Sequence, residues 1–153
     1  MRLEIEISRT AKNNSLRKEN VFSVTEWGNL RNIQRIKCPE TLTLPLYENE
    51  HSNEEIAENP LKPLLILQKN IEGLGPTYLS KILRFALPIE FGAIDTRIVR
   101  VVGNGDPNSK QQDWLSLRAR NDGYGWYIPK NQIAWPKEYS VWINILRFFA
   151  VFE

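Results

Sequence analysis

The chain of 153 residues holds one cysteine, Cys38, and one histidine, His51. A single cysteine excludes an internal disulfide and a four-cysteine zinc or iron–sulfur site within this chain. A single histidine excludes a two-histidine metal site. A Ser–His–Asp triad would have to use His51, which stands in the polar stretch Asn49-Glu50-His51-Ser52-Asn53 and reads as a solvated loop residue. No apolar run approaches the ~20 residues of a membrane span, so no membrane partner is expected. The start, Met1-Arg2-Leu3-Glu4-Ile5-Glu6-Ile7, carries acids and lacks a signal-peptide core, which leads us to expect a cytoplasmic protein. Charge of one sign is also scarce. The 20 Lys and Arg face 18 Asp and Glu, and a net charge of +2 is too small to name a partner. The slight basic excess lies in residues 72–153.

What is present suits a soluble globular domain: 42% apolar and 25% charged residues. There is no internal repeat. The chain changes character near residue 60. Residues 1–59 form an N-terminal segment with scattered apolar residues. In it, 2–7 alternate like a short strand, and Thr41–Tyr47 reads as an edge strand because it contains Pro45. Residues 48–59 are acidic and read as a loop or short surface helix.

From residue 60 the periodicity is helical. Asn59 and Pro60 make a helix start, and Leu61, Leu64, Leu65 and Gln68 follow helical spacing toward Ile71. Gly73-Leu74-Gly75 ends that helix and Pro76 opens the next, over 76–87, before Pro88. Leu79, Ile82, Leu83 and Ala86 fall on one face of it. Thr77, Ser80, Lys81 and Arg84 fall on the other. Asp95 is placed as the N-cap of a helix over 96–102 that Gly103 closes. Ser109 is read as capping a further helix to about Asn121. An aromatic connector over 121–135 follows, and Pro136 opens a last helix striped by Trp142, Ile145, Leu146, Phe149 and Phe152. The expected fold is mainly α, with the helical domain at 60–153.

The chemistry concentrates in residues 71–102. A Gly-apolar-Gly turn lets backbone approach a ligand without a Cβ in the way. Free N–H groups and the helix dipole at the start of helix 76–87 favour an anion, and a nucleic-acid phosphate suits such a nest. Lys81 and Arg84 lie on the polar face of the same helix, and Arg97 and Arg100, three apart, share a face beside Asp95. Tyr124, Trp126, Tyr127 and Trp135 are best read as packing on the core, the other role being to contact an unstacked base.

These residues resemble the helix-hairpin-helix DNA glycosylases, the superfamily of endonuclease III and the adenine glycosylases. The matching positions are Gly73-Leu74-Gly75, Leu79, Ile82-Leu83, and Ile94-Asp95-Thr96-Arg97-Ile98 with Arg100-Val101. They correspond to the family's "G-(V/I)-G-x-x-x-A-x-x-(I/V)-L" hairpin and its "V-D-T-H-V-x-R-V"-like stretch. The step from Gly75 to Asp95 is similar to the family's spacing. The likeness covers residues 60–103 well, Trp135–Phe149 more loosely, and residues 1–59 not at all.

The resemblance implies a helix-hairpin-helix bundle that binds DNA. The hairpin, Gly73, Leu74, Gly75 and Thr77, would hold a backbone phosphate, helped in the family by a monovalent cation on turn carbonyls. Lys81, Arg84, Arg97 and Arg100 would add contacts. The target nucleotide would be flipped into a pocket, with Asp95 as the catalytic carboxylate. One departure matters: the slot of the lysine nucleophile is Thr77, so the lyase step should be missing. Lys81, one turn further on, is the other amine within reach.

Two readings follow. One is a monofunctional glycosylase, implied to need no iron–sulfur cluster or other resident cofactor. The other is a non-catalytic helix-hairpin-helix module that grips DNA. The short N-terminal segment leaves room for a protein partner or a second copy to complete the cleft. The apolar C-terminal stripe also admits a protein-interaction domain.

Overall fold

The structure, a computed structural model, describes residues 2–150, the side chain of Ala57 excepted. It is mainly α, with short two-stranded pairings. The first element is a helix, α1 (Arg2–Ala11), where the alternation of 2–7 predicts a strand. Six residues cannot separate the two periods, because Leu3, Ile7 and Ala11 also stand four apart. Those three pack into the core, whereas Ile5 is more than half exposed. A short strand, β1 (Ser15–Arg17), leads to α2 (Lys18–Trp27). β1 pairs antiparallel with β2 (Thr41–Thr43), Leu16 opposite Leu42. Pro45 separates β2 from a hairpin, β3 (Tyr47–Glu48) with β4 (His51–Ser52), and α3 (Glu54–Glu58) is the short surface helix expected there. His51 is exposed on that hairpin.

Two helices joined by the 71–75 turn follow: α4 (Leu61–Asn70) and α5 (Pro76–Ala86). α5 buries Leu79, Ile82, Leu83 and Ala86, the face its spacing predicts. Its other side is not uniformly exposed, because Ser80 is fully buried. α1, α2 and α4 all pack on α5. Ile7, Ala11 and Val24 therefore belong to the same buried cluster as Leu64, Leu79 and Leu83, and residues 2–59 share one core with residues 60–150.

α6 (Thr96–Val102) is capped by Asp95 and closed at Gly103, as its boundary residues indicate. The helix expected from Ser109 to Asn121 does not form. Residues 111–115 instead wrap the end of α6: Gln111 N–H donates to Val101 O (2.8 Å), and Trp114 and Leu115 N–H to Val102 O (2.9 Å each). The free carbonyls of the last helical turn thus capture the amides that a new helix would have used. From Leu115 onward the chain is extended. Leu115, Leu117 and Ala119 are buried while Ser116, Arg118 and Arg120 are exposed, a period of two. Gly105, at φ +112°, lies so close to Ala119 O that any Cβ would collide with it.

β5 (Arg120–Asn121) and β6 (Trp126–Tyr127) form a hairpin in the aromatic connector. The last helix is α7 (Lys137–Ala150). It buries Tyr139 and Ile143, and packs Trp142, Ile145 and Leu146 against the core. Phe149 is about half exposed and so leaves the stripe, while Phe152 lies outside the described residues. No helix among the described residues is long and apolar enough to cross a membrane.

Candidate functional site

Asp95 is held from three sides. Its own Oδ1 accepts the N–H of Ile98 at 2.9 Å, the N-cap bond its position predicts. On the α5 side, Ser80 Oγ accepts the N–H of Ile94 (2.9 Å) and donates to Thr77 O (2.9 Å). Those bonds pin Ile94, the residue just before Asp95, to α5. On the α7 side, Tyr139 Oη donates to Gly92 O (2.9 Å) and Trp142 Nε1 to Ala93 O (3.1 Å). Burial pushes the Tyr139 hydroxyl far above its usual range, so it acts as a fixed donor. The connector before the carboxylate is thus hydrogen-bonded to two helices.

Asp95 opens onto a cleft of about 720 Å³. Gly75, Thr77, Lys81 and Arg97 line the same cleft. The glycine turn and the acid twenty positions later therefore share one concave surface. A second cleft of about 530 Å³ adjoins it and is lined by Gly73, Leu74 and Gly75. Leu74 contributes backbone there, since its side chain is buried.

The two glycines have different reasons to be glycine. Gly73 has φ +89°, and a Cβ on it would stand 2.6 Å from Arg35 O. Its own chain, not a ligand, explains it. A Cβ on Gly75 would meet only Ile128 O, at 3.8 Å. No packing requirement explains Gly75, and it faces both clefts. Just beyond it, the amides of Thr77 and Tyr78 are among the donors that a helix leaves without intrahelical acceptors.

The basic residues singled out from the sequence separate. Lys81 reaches the cleft with its ammonium 4.9 Å from the Tyr78 ring centre and 5.6 Å from that of Trp27. Arg97 is exposed in the cleft. Arg84 instead pairs with Glu4 of α1 at 2.8 Å and holds that carboxyl below its ordinary value. Arg100 donates to Asp106 at 2.9 Å, and its guanidinium lies 4.4 Å from the Trp126 ring centre. Arg84 and Arg100 thus hold the fold together and line neither cleft themselves, although Arg100 stacks on Trp126, which lines the Asp95 cleft.

No family model, curated protein or solved structure matches this chain.

Two rims of the Asp95 cleft come from segments that periodicity leaves as loops. One is residues 29–32, including Arg31, set by the bond from Tyr78 Oη to Gly28 O (2.7 Å). The other is the β5–β6 hairpin. Asp122 accepts the N–H groups of Tyr124 (2.9 Å) and Gly125 (3.1 Å), and this turn presents Tyr124 at the tip, 82% exposed. Tyr124 departs from the packing expected of it. Trp135 conforms, buried and donating to Gln68 Oε1 at 2.6 Å, and so does Trp126 beneath Arg100. Tyr127 is 44% exposed. The signal for the hairpin lies in Asn121-Asp122-Gly123, a turn sequence between Arg120 and Trp126.

Cys38 is half-buried, its thiol pushed above the ordinary value by burial. Of the turn carbonyls, those of Glu72 and Gly75 already accept from Lys37 and Leu79. The carbonyls of Ile71, Gly73 and Leu74 accept no such bond among the described residues.

Proposed function

We propose that this chain is a DNA glycosylase of the helix-hairpin-helix type, hydrolysing an N-glycosidic bond without a lyase step. α4, the 71–75 turn and α5 are the hairpin. The observation that carries this reading is the shared cleft: Asp95 lines it together with Gly75, Thr77, Lys81 and Arg97. A phosphate at Gly75 and the first amides of α5 would anchor the strand, and the target nucleotide would turn into the cleft toward Asp95.

Asp95 Oδ1 is committed to Ile98 N–H, and Oδ2 is left for the sugar. As the C1′–N bond breaks, its electron pair leaves with the base. The ionised carboxylate stabilises the positive charge developing on the sugar. Water then bonds to C1′ and releases a proton, while the departing base takes one up. Thr77 supplies no amine for a Schiff base. Lys81 lies between two rings, which favours a role as a fixed cation over that of a nucleophile.

A second reading, a non-catalytic DNA-binding module, is favoured by one observation: the N-cap bond by itself accounts for an aspartate at position 95. One assay separates the two. Duplexes bearing uracil, 8-oxoguanine, alkylated bases or mismatches are incubated with the protein and then treated with alkali. The enzyme reading expects strand breaks that vanish in Asp95→Asn, and no covalent adduct on borohydride treatment. Binding without breaks on any duplex would leave the module. An adduct lost in Lys81→Ala would overturn the claim that the lyase step is missing.

A further inference from the structure

Most of the molecule's arginines and lysines fall into two sets, with Arg9, Lys12, Arg17 and Lys69 in neither. Those in its ion pairs, Arg84 with Glu4, Arg100 with Asp106 and Arg147 with Glu90 among them, line neither the Asp95 cleft nor its neighbour. Those that do line the clefts take part in no ion pair among the described residues.

A third cleft, of about 640 Å³, continues this pattern. It lies between the extended 116–120 segment and the start of α7. Its cations are Arg118, Arg120 and Lys137, all exposed and none in an ion pair among the described residues. The period-two alternation over 115–120 turns both arginines to this side, and the β5–β6 register sets Tyr127 opposite Arg120. Tyr127 lines all three clefts, and Pro129 and Asn131 line both the second and the third. The three clefts are therefore one continuous surface. Lys130, Arg31 and Arg35 are its middle cations.

The acids on this surface behave in the opposite way. Glu138 turns both oxygens to the N–H of Ser116 (2.6 and 3.0 Å). Asp122 is taken up by the amides of its own turn, and Asp95 spends one oxygen on Ile98. A groove whose cations are free and whose acids are bound to backbone amides attracts a chain of regularly spaced negative charge. An exposed aromatic at the junction of the three clefts adds a face on which a base can stack.

We infer that the third cleft is a second anchoring site for the nucleic-acid backbone. The strand flanking the reacting nucleotide would run from Asp95, past the 73–75 turn and over Tyr127, to phosphate contacts with Arg118, Arg120 and Lys137. This inference rests on the DNA reading above and extends it by naming where the flanking strand lies.

The test is fluorescence anisotropy with labelled, undamaged duplex and single-stranded oligonucleotides over a series of salt concentrations. The variant Arg118→Ala/Arg120→Ala/Lys137→Ala is compared with wild type and with a control, Arg9→Ala/Lys12→Ala/Lys69→Ala, whose cations lie outside the three clefts. The inference expects the cleft variant to bind about tenfold or more weaker. Its salt slope should be shallower by about three, roughly one for each phosphate that is no longer neutralised. The control should bind as wild type does. Thermal melts show that both variants fold. A cleft variant with wild-type affinity and slope overturns the second anchor and leaves the DNA reading standing. Equal losses in the cleft variant and the control also overturn it, since net charge alone would then explain binding. A wild type that binds neither oligonucleotide removes the DNA reading and the anchor together. Loss confined to the single strand supports the anchor and assigns it to unpaired DNA.

Discussion

Lys81 and Arg84 stand three residues apart on α5, and Arg97 and Arg100 three apart on α6, yet each pair divides between two regions of the molecule. Arg84 and Arg100 lie where the chain folds back on itself, and each meets a carboxylate, Glu4 or Asp106, within 2.9 Å. Lys81 and Arg97 open onto the Asp95 cleft, where no acid pairs with them among the described residues. The difference teaches that cations on one helix can carry separate tasks. Bases at the folded seams hold distant elements together. Lys81 and Arg97 on the cleft side make no ion pair among the described residues, although Lys81 lies against the Tyr78 and Trp27 rings.

The two glycines of the turn give the widest test of this division. Gly73 belongs to the seam, and Gly73→Ala places a Cβ against Arg35 O at positive φ. About 3 kcal/mol of stability should be lost, read by urea unfolding. Gly75 belongs to the cleft, and Gly75→Ala should cost less than about 1 kcal/mol while weakening the proposed DNA binding. If both substitutions were equally destabilising, the division would not hold at the turn.

Ser80 comes next in size. Ser80→Ala removes the acceptor of the buried Ile94 N–H and should cost about 1–3 kcal/mol in the same measurement. Because that bond positions Ile94, the residue before Asp95, the proposed glycosylase activity should fall about tenfold or more while the protein stays folded. Arg100→Ala should lower the thermal midpoint and loosen the β5–β6 hairpin. Arg97→Ala should leave stability within about 0.5 kcal/mol and reduce the salt slope of the proposed DNA binding by about one. A matching loss of stability in both variants would erase the contrast.

The smallest expected effect is on acid stability. Hydrogen bonds from Ser109 and Arg100 hold the Asp106 carboxyl below its ordinary value of 3.8. A depressed folded value means that its contribution is fully present above about pH 4. That contribution is lost as pH falls through the lower, folded value. Asp106→Asn should therefore flatten the acid limb of the stability profile below pH 4 and change nothing in its shape between pH 5 and 7. An unchanged acid limb would show that the Arg100 network contributes no linkage.

Legibility in the sequence followed the range of the forces involved. α5 and α6 carry their own boundary signals: Pro76 at the first position, Asp95 as cap, Gly103 as stop. Those act within one turn of helix, and they also placed the turn and the acid that share the cleft. The strand expected at 2–7 became α1 because α5 offers an apolar surface to Leu3, Ile7 and Ala11. The helix expected after Ser109 gave way to the carbonyls of Val101 and Val102. Ser80 reads as polar surface from its residue type, and only the approach of Ile94 makes it a buried acceptor.

The sequence by itself determined that the chain is mainly helical from residue 60, where the turn at 73–75 falls, and that Asp95 caps α6. These are local matters of backbone conformation and nearest-neighbour hydrogen bonds. Only the tertiary structure decided which cations are bound and which are free. Glu4 and Arg84 are 80 positions apart, and the Arg118–Arg120 cleft exists because an extended segment docks beside α7. Coulombic pairing and cleft shape depend on distances that no sequence window contains.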